Sequence, residues 1–201
     1  MTTQTLVGAA PAARPPERPN RLLLAGLVAG PLFTVVYLLE GAFRTGYHPV
    51  RQTVSELALG PGGWVQVVNF LVAGVLMLVF AAGLRGARRV LIAIWGIGLL
   101  GAGVFVTDRV GDPPTWHGQL HDLAFSLPGF AALAAVMIVD VRRRPLFSGL
   151  SAAAFITLFF VTNASAAHMG LFQRLLITVG WLWLAVLAVR SGSATAARSS
   201  R

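Results

Sequence analysis

Six stretches of this chain, residues 22–39, 65–84, 90–107, 123–139, 146–167 and 175–189, contain no Asp, Glu, Lys or Arg. Most approach the roughly 20 residues that carry an α-helix across a hydrocarbon core of ~30 Å. Inside lipid every backbone N–H and C=O must be satisfied within the segment or its closed sheet, and runs this long and apolar satisfy them as helices. The expected fold is therefore all-α, an integral membrane six-helix bundle. The first run is interrupted by Pro31 and ends at Glu40 without a small-residue cleavage site, so it reads as a retained span and not as a signal peptide.

Arginine placement orients the bundle. All sixteen basic residues are Arg. If the N-terminus lies inside, twelve fall on the cytoplasmic side and four (Arg44, Arg51, Arg109, Arg174) outside, which predicts N-in, C-in. The net charge of +9 thus reports topology. A basic groove interleaved with exposed aromatic residues is missing, which argues against nucleic acid as a partner; membrane lipids are the expected neighbours. With no cysteine, disulfides and thiolate chemistry are excluded.

Residues 1–20, rich in Ala, Pro and Arg, read as a disordered cytoplasmic tail, and 191–201 as another; 21–190 form the transmembrane domain. The inner loops are tight, whereas the outer loops 41–63 and 108–116 are longer and more polar. Val50, Val54 and Leu57 recur at helical spacing, so a short amphipathic helix is expected between spans 1 and 2. No repeat relates the first three spans to the last three, against a transporter of inverted halves. Gly96, Gly98, Gly101, Ala102 and Gly103 invite close helix approach. Trp64 and Trp116 fit an interfacial belt. Pro128 should bend the fourth helix, and Asn69 and Asn163 read as interhelical glue.

All four histidines (His48, His117, His121, His168) and five of seven carboxylates fall on the outer side. The most specific segment is Trp116-His117-Gly118-Gln119-Leu120-His121-Asp122, with Asp112-Pro113 as the expected helix start. Histidines at i, i+4 share a helix face and can give two nitrogens to one zinc ion. His168 at the end of the fifth span and Asp108 at the end of the third are the expected third and fourth ligands of one divalent metal, zinc before manganese or iron. The bland reading is hydrogen bonding at the headgroup boundary. Glu56 or Asp122 would act as general base, with Ser55 orienting a metal-bound water or capping a helix. Arg174 would form an ion pair with Asp108 or Glu56, or grip an anionic substrate group.

The residues Ser55-Glu56-Leu57, Gly60-Pro61-Gly62-Gly63-Trp64, Asp108, His117-Gly118-Gln119-Leu120-His121 and Gly170-Leu171-Phe172-Gln173-Arg174 resemble the bacterial six-helix membrane family catalogued as domain of unknown function 998. The likeness covers roughly residues 21–190. It implies a multi-pass protein of the bacterial cytoplasmic membrane and no established activity. A looser analogy links Ser55, Asp108, His117, His121 and His168 to the alkaline ceramidases and adiponectin receptors, seven-helix proteins with a three-histidine zinc.

Two functions compete on these residues. One is a metal-dependent hydrolase of a lipid or lipid-linked substrate at the outer face. The other is a non-enzymatic sensor, transporter subunit or assembly partner whose His/Asp/Arg cluster is structural. Haem ligation ranks last, because His117 and His121 share one helix and cannot face each other across a ring.

Overall fold

The computed structural model describes residues 21–199, and among them the only regular secondary structure is helical. A 3-10 turn, Arg21–Leu23, feeds α1 (Leu24–Phe43). Then come α2 (Trp64–Ala82), α3 (Ala87–Val104), α4 (Trp116–Val141), α5 (Pro145–Ala164) and α6 (Met169–Ser199). Six helices are long and apolar enough to cross a membrane, and the chain is a polytopic membrane protein. The helices alternate in direction, so one end of the bundle carries the long loops and the other the tight, arginine-bearing turns.

Each helix buries one side and leaves the other apolar. Ala29, Phe33, Met77, Phe80, Ile92, Leu133, Phe155, Leu184 and Leu187 fill the centre, while Leu24, Val75, Ile97, Leu150 and Leu182 face outward. Lipid tails are as apolar as leucine, so close backbone packing holds such helices together. The α3 glycines do this work. A methyl on Gly96 would lie 3.1 Å from the Gly74 carbonyl oxygen of α2, and one on Gly98 would lie 2.8 Å from the Phe125 carbonyl oxygen of α4. Asn69 Nδ2 donates to the Phe33 carbonyl across the α1–α2 seam at 3.1 Å, as expected of an intramembrane amide. Asn163 instead bonds Phe159 of its own helix at 2.8 Å.

The arginine-rich end is closed by Asp140, which is fully buried. It pairs with Arg88 of α3, lies 3.5 Å from Arg144, and accepts from Ser148 Oγ at 2.8 Å. Ser148 in turn accepts from Trp183 Nε1 of α6 at 3.2 Å. A buried carboxylate is tolerated when charge and hydrogen bonds surround it.

Three local expectations change. The amphipathic helix between the first two spans is a single 3-10 turn, Ser55–Ala58. Val54 and Leu57 are buried while Val50 is exposed, so three-residue spacing fits here without an α-helix. The fourth helix starts at Trp116, not at Asp112-Pro113: Thr115 is its N-cap and accepts from Gly118 N. The backbone of α6 continues helical to Ser199, across residues given to a tail; Ala194, Ala196, Ala197 and Arg198 are good helix formers. The N-terminal tail 1–20 lies outside the described residues.

Candidate functional site

The site is assembled at the loop-rich end from four segments. Within α4, residues Leu120–Ser126 form a π-helix between an α-helical start and the α-helical remainder. Pro128 has no N–H to give to the turn above it. Leu127 N–H, one residue earlier, reaches back five residues to the Asp122 carbonyl. The widened turn carries His121 and Asp122, and π segments of this kind recur at functional sites.

His117 and His121 share a face, as i, i+4 spacing requires, and both turn to the end of α3. A helix leaves its last carbonyls without intrahelical donors. His121 Nδ1 lies 2.7 Å from Phe105 O and 3.0 Å from Ala102 O; His117 Nδ1 lies 2.9 Å from Val106 O. A carbonyl only accepts, so each Nδ1 carries the hydrogen. His121 caps the last turn of α3 at Ala102 and also reaches Phe105 just past it, while His117 holds Val106, two residues beyond the helix. In neutral His121 the other nitrogen, Nε2, is then an acceptor. The Ser55 hydroxyl donates to it across 3.1 Å. His121 is 2 % exposed, and Ser55 is half-buried.

Ser55 is held by its neighbours. Val54 N–H donates to Gln173 Oε1 of α6 at 2.7 Å. Glu56 Oε2 accepts from Thr53 N at 2.7 Å and Oε1 from Val110 N at 3.3 Å, tying the first loop to the second. Arg174 Nη1 donates to the carbonyls of Pro49 at 2.6 Å and Gln52 at 2.9 Å, and Nη2 to the Tyr47 hydroxyl. Its guanidinium also lies over the rings of Tyr37 and Tyr47, 5.7 and 5.6 Å from their centroids. Burial raises the Tyr47 hydroxyl above its ordinary pKa, with Arg174 working against the rise.

Asp108 supports the start of α4. Its oxygens accept from Thr115 N and Thr115 Oγ1, both at 2.7 Å. These bonds, the backbone one first, hold its pKa below the ordinary aspartate value. A side chain on Gly118 would run into this carboxylate, so glycine there is a condition of the arrangement.

Ser55, His121, Asp122, Asp108 and Gln173 line one cavity of about 520 Å³ that descends between the helices. Polar residues surround its upper part and apolar residues its depth, the usual character of a small-molecule site.

A family model described as protein of unknown function (DUF998) matches residues 27–190. The chain is a DUF998 protein. The match takes in four spans whole, most of the first and the last, and every residue of the site just described. No curated protein and no solved structure matches this DUF998 protein.

This DUF998 protein separates several of the residues that the sequence grouped. His117, His121, His168 and Asp108 do not come together: among the described residues no three His, Asp or Glu side chains form a group able to hold a metal ion. The ring nitrogens of His121 are taken by carbonyls and Ser55, while His168 is exposed in the α5–α6 turn, beside Phe172. His48 is also exposed, apart from the site. Glu56 accepts from backbone N–H groups of both loops. Arg174 grips carbonyls and Tyr47, where an ion pair with Asp108 or Glu56 was expected. Asp122 does line the cavity. Gln173, quoted in the sequence only as part of a motif, joins the site through Val54. Its position beside Arg174, just before the last uncharged run, was the available signal.

Proposed function

We propose that this protein is a membrane-embedded serine hydrolase acting on an ester or amide of a lipid, with Ser55 as nucleophile and His121 as general base. The observation that carries this reading is the 3.1 Å contact from Ser55 Oγ to His121 Nε2 at the wall of the cavity. A nucleophile hydrogen-bonded to a base, with that base oriented by a third group, is the general logic of serine catalysis. Here the orienting group is the Phe105 carbonyl. Arginine placement puts the site at the extracytoplasmic face.

The chemistry follows from the two side chains. Ser55 Oγ attacks the carbonyl carbon as its proton passes to His121 Nε2. The acyl–oxygen or acyl–nitrogen bond breaks, the leaving group takes that proton, and the acyl group stays on Ser55. Water then repeats the sequence and restores both residues. Gln173 gives its oxygen to Val54, which leaves only donors on its amide nitrogen. A donor on this wall suits the oxyanion of the tetrahedral intermediate. The metal-dependent form of the hydrolase is the weaker one, because the lone pair it needs from His121 is the one that receives the Ser55 proton.

A second reading has its own support. His117 and His121 both satisfy backbone carbonyls just past the end of α3, which a purely structural cluster would also do. A fluorophosphonate probe separates the two. On the hydrolase reading it labels the purified wild type, and both Ser55→Ala and His121→Gln abolish labelling. Labelling that is absent from folded wild type, or that survives Ser55→Ala, sinks the hydrolase.

A further inference from the structure

The cavity has a floor, and all six helices build it. On each helix the lining residue nearest the arginine-rich end is aromatic: Phe33, Phe70, Trp95, Phe130, Phe159 and Trp181, in the order α1 to α6. These rings form one connected chain. Phe70 contacts Phe33 at 5.4 Å between centroids, Phe33 contacts Trp181 at 5.7 Å, and Trp181 contacts Trp95 at 6.0 Å. Trp95 then meets Phe130 at 5.4 Å, and Phe130 meets Phe159 at 6.0 Å. Tilted and edge-on aromatic contacts of this length are favourable and shape-specific. The slot ends on a belt of interlocked rings.

Above the belt the walls are mostly apolar, with Leu99, Leu127, Leu176 and Ile177 among them; Ser126 and Thr162 interrupt them, and the titratable groups come at the top. Leu123 and Leu127 of α4 and Asn163 of α5 line the cavity and are also exposed. The side between these two helices therefore faces the lipid, and α5 is the least enclosed of the six spans.

We propose that the slot measures one hydrocarbon chain of a membrane amphiphile, which enters between α4 and α5 and stops on the aromatic floor. This deepens the hydrolase reading and rests on it for the place of the scissile carbonyl, at Ser55. Along α3 the step from Trp95 up to Ala102, whose carbonyl holds His121, spans about 10 Å at ~1.5 Å per residue, room for roughly eight extended methylenes. The substrate class is thus a medium-chain acyl amphiphile, with the polar head above Ser55 and His121.

The test uses the full-length protein in lipid nanodiscs and monoalkyl glycerol ethers, which a serine nucleophile cannot cleave, each tipped with a diazirine. Chains run from about four to about sixteen carbons, and labelling of the floor residues should rise until the chain is long enough to reach them and fall once it is too long to seat. The expected result is a peak near eight carbons with adducts on Trp95, Phe130 or Trp181. Trp95→Ala, or Phe130→Leu should the first variant fail to fold, shifts the peak to longer chains. Labelling without a length optimum, or confined to outward residues such as Leu150, overturns the proposal. The indole N–H groups of Trp95 and Trp181 are buried without a hydrogen-bond acceptor among the described residues. A ketone-tipped competitor that binds more than tenfold better than its alkyl counterpart therefore also overturns a hydrocarbon occupant. A peak that persists where fluorophosphonate labelling is absent removes the serine chemistry and leaves the slot standing. Fluorophosphonate labelling without a peak does the reverse.

Discussion

Ser55 and His121 stand 66 residues apart in the chain and share a 3.1 Å hydrogen bond. The imidazole reaches the serine while its opposite nitrogen is held by the end of α3. The pair thus joins the first loop, the third helix and the fourth helix. The two partners are unequal in what they support, and that inequality is measurable.

His121→Ala removes the donor to one buried and one partly buried carbonyl as well as the serine contact, and should cost about 1–3 kcal/mol. Ser55→Ala gives up one hydrogen bond on a half-buried residue, about 1 kcal/mol at most. Thermal unfolding in one detergent should show a clearly larger drop for His121→Ala. Equal drops would mean that the carbonyl contacts contribute nothing.

Arg174→Lys keeps the charge and loses the fork. A guanidinium serves Pro49, Gln52, Gly170 and Tyr47 together; an ammonium on a flexible stem cannot. The variant should loosen the first loop, and limited proteolysis between residues 47 and 62 should speed up roughly tenfold for each ~1.4 kcal/mol lost. Gly170→Ala should act in the same direction, because its methyl would collide with the Gln52 and Pro49 carbonyl oxygens.

Acid should release the start of α4. The Asp108 pKa is lowered by its bonds to Thr115, so its contribution is complete above the ordinary aspartate value of about 3.9. That contribution fades as pH falls through the depressed folded-state value. Asp108→Asn should remove this part of the acid dependence. Unfolding midpoints measured below pH ~5 check it, and parallel curves for the two proteins would contradict it.

The chain has no native cysteine, so single introduced ones report topology cleanly. On intact cells a membrane-impermeant maleimide should label Arg109→Cys in the second long loop and spare Arg143→Cys in the arginine-rich turn. The opposite pattern would invert the N-in, C-in orientation.

Much of the scaffold is legible in sequence. Uncharged length marks the six spans. Pro128 announces a distortion of α4, although its form, a π turn around His121, depends on which carbonyl Leu127 reaches. The i, i+4 spacing puts His117 and His121 on one face, yet spacing is silent on what that face meets. A zinc ion and a row of orphan carbonyls both suit two imidazoles. The last turn of α3 and the two residues after it supply the carbonyls.

What the amino-acid order determined alone is everything that depends on near neighbours: helices that must form because lipid offers no other backbone partner, the polar character of one end, and the shared face of two histidines. What only the tertiary structure decided is which distant groups meet. Ser55 reaches His121, Arg174 clasps the first loop, and six aromatic rings from six helices close one slot. The reason is physical. Backbone hydrogen bonding within a span is local and obligatory, whereas contacts between spans follow from glycine-scale packing and from the geometry of a single widened turn.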